Sequence, residues 1–233
     1  LVASTSSANY FVLSILSICV LAAHLIAIDL AMVAPLVCIW LARRATRHAD
    51  AQAGVIERRL AWHSMLALAI GMALGTAQLG LLWLAGNRDF FAAVGRVPAS
   101  RLWFSLAELV FFFGCMAAYL EVRRWPRNIP LLSALLAVLA ATDLMYHFPP
   151  LFAMLNLLAT RVELSGQVLT GSLYRTLLLD PEVIAMVAHV WLAATALTAV
   201  AVMRLAIAPG LPSPAASPSP IVSIAARCAL AAS

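Results

Sequence analysis

The stretch YFVLSILSICVLAAHLIAIDLAMVAPLVCIWLA, residues 10–42, runs for 33 positions with one charged side chain, Asp29, and one imidazole, His24. As a helix it reaches about 50 Å at about 1.5 Å per residue, against a hydrocarbon core of about 30 Å, so it crosses a bilayer with residues to spare. Four more apolar runs follow at residues 60–85, 102–122, 129–158 and 182–208, each long enough to span. The expected fold class is therefore all-α: a polytopic transmembrane bundle of five helices. Composition agrees, since 64% of the 233 residues are hydrophobic and only 11% charged, whereas a soluble domain carries about 25% charged residues. A water-soluble globule is excluded.

All fifteen basic residues are arginines, against ten acids, a formal charge of +5. They flank the apolar runs, so they set topology, and nucleic acid is not an expected partner. Alternate flanks hold ten arginines (Arg43, Arg44, Arg47, Arg58, Arg59, Arg123, Arg124, Arg127, Arg204, Arg227) against five (Arg88, Arg96, Arg101, Arg161, Arg175). The richer side is cytoplasmic by the positive-inside rule, which puts the N-terminus outside. The opening Leu-Val-Ala-Ser-Thr-Ser-Ser has no basic n-region, so no cleavable signal is expected. Cys19, Cys38, Cys115 and Cys228 form no CxxC pair, which argues against a disulfide scaffold, a zinc knuckle or covalent c-type haem.

Residues 1–208 read as one five-helix haem-binding bundle and 209–233 as a Pro/Ser-rich disordered tail, because five prolines fall between 209 and 220 and the last 13 residues are too short to span. Within the fourth run, Pro149 and Pro150 remove backbone donors, so the helix is expected to kink or break there and to need a neighbour that satisfies the freed groups. Gly71 and Gly75 form a small-xxx-small pattern that lets another helix approach.

Ionisable groups inside apolar runs carry the functional signal, because each is costly there without a partner or a task. They are His24, Asp29, Glu108, Asp143, His147 and His189. On the inferred topology Glu108, His147 and His189 fall in the outer half of the membrane and His24 near its middle. Imidazoles at similar depth in a bundle are how a b-type haem is held, so His189, His24 and His147 are candidate ligands and haem b the expected cofactor. For any one of them, an interhelical hydrogen bond is an equal alternative. Asp143 and His147, four residues apart, share a helix face; either the carboxylate orients a ligating ring, or the two form a self-satisfied pair. Glu108 is a protonated structural carboxyl, a member of a proton path, or an acid near the iron.

The segment Asp180-Pro-Glu-Val-Ile-Ala-Met-Val-Ala-His189-Val-Trp-Leu-Ala-Ala is similar to the start of the fifth helix of subunit I of cytochrome bd-type quinol oxidases, where an Asn-Pro-Val opening precedes a haem-ligating His. His24 resembles that family's first-helix haem ligand, Gly75-Thr-Ala-Gln78-Leu-Gly80 the end of its second helix, and Glu108 before a Phe-rich run its acid-bearing third helix. The similarity covers about residues 9–208. Thr76 stands where the family has a Glu, and His147 has no counterpart. The resemblance implies a haem-bearing half of such a protein: an electron-transfer subunit of an oxidoreductase complex in the inner membrane, passing electrons between quinone or a periplasmic redox partner and other subunits. It implies no quinol-dependent oxygen reduction by the isolated chain. The alternatives are a bis-His cytochrome b anchor of a dehydrogenase or hydrogenase, and a cofactor-free membrane scaffold.

The arginine distribution makes one testable statement about topology: a protease-sensitive tag at the N-terminus is cleaved in intact cells, and protection of that tag reverses the assignment of both faces.

Overall fold

The computed structural model describes residues 2–125, 129–208 and 220–231. Arg127, counted among the flanking arginines, lies outside the described residues, as do 209–219 and 232–233 of the expected tail. The helices are α1 (Val2–Arg47), α2 (Ala51–Leu84), α3 (Arg88–Val94), α4 (Ala99–Val122), α5 (Pro130–Thr160), α6 (Gly171–Leu178), α7 (Pro181–Ala206) and α8 (Pro220–Ala231), with no strand among the described residues. Five helices, α1, α2, α4, α5 and α7, are long and apolar enough to cross a membrane, matching the five runs. The chain is an all-α, multi-pass helix bundle.

Helix α1 lies along α2 because two glycines remove the side chains that would hold them apart. A Cβ on Gly71 would sit 2.5 Å from Ile28 Cδ1, and one on Gly75 3.0 Å from His24 Cε1. These distances leave no room for a larger residue unless the Ile28 or His24 side chain moves aside. The contact is the close approach that the small-xxx-small spacing provides. At the other end of the pair, Asp50 caps α2 by accepting from Ala53 N at 3.0 Å and is bridged by Arg44 Nε at 2.7 Å. Partial burial pushes its carboxyl up, but the bonds from Ala53 and Arg44 outweigh this and hold it below the ordinary value.

That cap moves the start of α2 nine residues ahead of the apolar run and draws a charged residue into the core. Glu57, fully buried, receives Arg123 in two-point contact (Nη2 to Oε2 2.8 Å, Nε to Oε1 3.0 Å) and the Tyr119 hydroxyl at 2.7 Å. Cys38 Sγ closes on the Glu57 carbonyl at 3.6 Å. Helices α1, α2 and α4 are thus tied together at one end of the bundle. Arg123, just past α4, has its basicity raised mainly by the hydrogen bonds it donates to Glu57.

Of the expected kink or break at the two prolines, the break does not occur: α5 runs from Pro130 to Thr160 with Pro149 and Pro150 buried inside it. Without an N–H, Pro149 leaves the carbonyl four residues back, that of Met145, unpaired. Trp191 Nε1 of α7 donates to that carbonyl at 3.2 Å. The indole replaces the missing backbone donor, so the helix continues.

At the end carrying α3 and α6, a second apolar cluster forms from Ala93, Val97, Met154, Leu158, Leu169, Leu177 and Val183. Arg96 holds it, donating to the carbonyls of Leu164 at 2.9 Å and of Leu158, while its own carbonyl accepts from Leu169 N. Asp180 caps α7, accepting from Glu182 N at 2.9 Å, and is bridged by Arg161 in two-point contact at 2.7 and 3.2 Å. Asp180-Pro-Glu is therefore a helix start in its own right, with its cap at Asp180 and proline at the first helical position.

The disordered-tail expectation is corrected for residues 220–231. Pro220 opens α8, and its Ala225 is buried in the same core as Val202 and Ala206 of α7. The Ile- and Ala-rich composition after the prolines offers an apolar face that packs rather than spans. At 12 residues α8 is too short to cross a bilayer.

Replacing Arg123 by Ala strands a buried carboxylate and is expected to cost about 3–5 kcal/mol, read as a loss of thermal stability in detergent. The double variant Glu57→Leu/Arg123→Met loses far less; equal losses from both would show that the pair does not act as one unit. The Arg161 bonds hold the Asp180 carboxyl below its ordinary value, so the protonated form is favoured by unfolding. The stability of wild type over Asp180→Asn is then full above the ordinary carboxylate range and lost as pH falls through the lowered folded value. A melting-temperature difference between the two that is independent of pH contradicts this.

Candidate functional site

The arrangement begins with Glu108, on the face of α4 that meets α5. It lies nine residues from the start of α4, about 14 Å along the axis, and is 5% exposed. Helix α5 presents Asp143 and His147 from one face, as their four-residue spacing requires. One ligand atom from each of Glu108, Asp143 and His147 lies within 4.8 Å of the other two. His147 Nδ1 closes on Glu108 Oε1 within ion-pair range, without the geometry of a hydrogen bond.

Both oxygens of Glu108, Oδ2 of Asp143 and Nδ1 of His147 are buried without a hydrogen-bond partner. Four such atoms at one spot in an apolar span depart sharply from the rule that buried polar groups are paired. Around them the walls are aromatic. The rings of Phe104 and Tyr146 meet the His147 ring edge-on at 5.6 and 5.1 Å. Arg101, two turns nearer the α6 end of α4, stacks its guanidinium 4.1 Å over the Tyr174 ring, whose hydroxyl burial holds above the ordinary tyrosine value. Toward the opposite end the same helix offers Phe112, Met116 and Tyr119, all fully buried. The His147 side chain itself keeps 33% of its surface.

Chemically, two carboxylates and an imidazole, whose ring N–H is the one donor of the neutral set, form a group rich in acceptors. Such a set shares protons or holds a cation. Nothing in it is positioned as an activated nucleophile.

The other predicted residues stand elsewhere. His24 Nδ1 lies 2.8 Å from the Gly71 carbonyl, with its ring over Gly75, so its role is an α1–α2 hydrogen bond of the kind weighed as the alternative to ligation. His189 is exposed on α7 and acts electrostatically on Asp29 of α1. Trp191, two positions on, turns instead to α5. The three candidate haem ligands thus belong to three separate contacts: α1 with α2, α4 with α5, and α1 with α7. Of the sequence candidates the fold unites Glu108, Asp143 and His147.

Sequence reasoning missed the Glu57–Tyr119–Arg123 network, because Glu57 sits in Val55-Ile-Glu-Arg-Arg59 and reads as part of a solvated, arginine-rich turn. The available signal was the Asp50 cap, which starts the helix early enough to bury it.

Comparison with protein-family models, with curated protein sequences and with solved structures finds no match to this chain.

Proposed function

We propose that this chain is a multi-pass membrane protein whose working centre, Glu108–Asp143–His147, takes up and releases cations within the bilayer. The observation that carries the reading is Glu108 itself: almost completely buried, with neither oxygen hydrogen-bonded, in ion-pair contact with the His147 imidazole and beside a second carboxylate. Two carboxylates this close in an apolar medium repel and lose solvation, so a bound cation is the state that stabilises them. Uptake proceeds from the α6 side past Arg101 and Tyr174, and release to the other face requires the packed Phe112, Met116 and Tyr119 to move aside. On the arginine distribution the α6 side is periplasmic and the membrane is the inner, cytoplasmic one.

A second reading keeps the electron-transfer subunit. His189 is exposed on α7, so a b-type haem ligated there is shared with another subunit of a redox complex, and quinone or a periplasmic protein supplies or receives the electrons. Such a haem supplies one-electron transfer; the chain's own part is to offer the imidazole and to hold α7 in place through Trp191 and the Asp180 cap.

Proteoliposomes separate the two. With a pH-sensitive dye and a divalent-cation dye inside, wild type is expected to take up one of the two ions about tenfold faster than Glu108→Gln, a difference of about 1.4 kcal/mol in barrier. Equal rates overturn the first reading. For the second, a pyridine haemochrome spectrum present in the purified complex and lost in His189→Ala is the supporting result, and an unchanged spectrum in that variant refutes it.

A further inference from the structure

We propose that the Glu108–Asp143–His147 centre is a resident site for one divalent first-row transition-metal ion, with manganese, iron and zinc as the chemical class. This rests on the reading of the same centre as a cation site and names the ion. The donor set selects the class. Two carboxylate oxygens with one imidazole nitrogen suit manganese, iron and zinc, whereas calcium and magnesium take all-oxygen shells and copper(I) takes thiolates. The nearest thiol on the same helix, Cys115, interacts with Asp143 electrostatically but lies outside the group of atoms within 4.8 Å.

Charge points the same way. Two ionised carboxylates carry two negative charges, a neutral imidazole adds none, and a dication brings the buried cluster to neutrality. Among the described residues Arg101 makes no ion pair with either carboxylate, its guanidinium lying over Tyr174 two turns away, although its charge reaches His147. The atoms without a hydrogen bond are those that a metal needs: both Glu108 oxygens, Asp143 Oδ2 and His147 Nδ1, the last in ion-pair contact with Glu108. All three ligands come from two packed helices, α4 and α5, rather than from loops, which holds them rigidly. Three protein ligands leave further positions for water or an exchangeable group on the side where His147 is one-third exposed.

The test uses the full chain in detergent, purified without chelator, loaded in turn with Mn²⁺, Co²⁺ as a spectroscopic stand-in, and Zn²⁺, then desalted. Wild type is expected to retain about one ion per chain, to melt at a higher temperature with the ion than without it, and to give a visible Co²⁺ d–d spectrum. His147→Ala and Glu108→Gln are expected to bind at least about tenfold more weakly and to lose the metal-dependent rise in melting temperature. His63→Ala, an exposed imidazole bonded only to its own helix at Arg59, keeps both. Monodispersity and helical content measured on each variant separate a lost ligand from a lost fold; if both variants unfold, Asp143→Asn takes their place. Failure of wild type to retain any of the three ions overturns the proposal, as does equal retention by the folded ligand variants. Metal-free wild type that still moves protons in a Glu108-dependent way sinks the metal and leaves the cation centre standing; no Glu108-dependent movement of any ion sinks both.

Discussion

A polar group in the core of a bilayer has no water to turn to, so its partner must come from the protein. Most of this structure follows from how that demand is met. The Met145 carbonyl, freed by Pro149, takes the Trp191 indole; the Glu57 carboxylate takes Arg123 and Tyr119; the His24 ring takes the Gly71 carbonyl; Gln52 reaches the Ala206 carbonyl at 3.1 Å and Gln78 reaches Ser17 at 2.7 Å. Each of these bonds joins two different spans. The polar residues therefore set which helices are neighbours, while the apolar faces, as oily as the lipid, specify less.

Against that pattern the Glu108 centre is an exception with a direction. The Glu57 network at one end is closed, with a carboxylate fully matched by a guanidinium and a hydroxyl. Toward the α6 end, two carboxylates and an imidazole converge with four buried polar atoms left without a hydrogen bond. The same chain thus contains a satisfied acid and an unsatisfied one on the two ends of the α4 packing surface. The first fastens α4 so that the second is held at a constant place, which is the arrangement a binding centre needs.

The haem expectation drew on depth along the helices, and depth is only one of three coordinates. Trp191 bonding to Met145 sets His189 and His147 each two residues from a shared contact, so similar depth does hold for that pair. Direction around the helix axis is what separates them: positions 189 and 191 lie about 200° apart at about 100° per residue, so with Trp191 turned to α5, His189 faces α1. A rule that reads only sequence spacing detects which residues share a face of one helix, as for Asp143 and His147, and not which face meets which neighbour.

The five spans, their approximate limits, the close α1–α2 approach at Gly71 and Gly75, and the need for a neighbour at Pro149 were legible in the sequence, because hydropathy, residue size and the missing proline donor are local properties. The start of α2 and the burial of Glu57 were not, since a charge among arginines reads as solvated until Arg123, 66 residues away, is brought against it. Nor was the helix at 220–231, whose apolar face has meaning only once α7 lies beside it. Which of six intramembrane ionisable residues form a centre was decided by tertiary packing alone. Glu108 acquires its two companions from α5 because antiparallel packing of two helices, and no feature of either strand of sequence by itself, sets the rotation at which their faces meet.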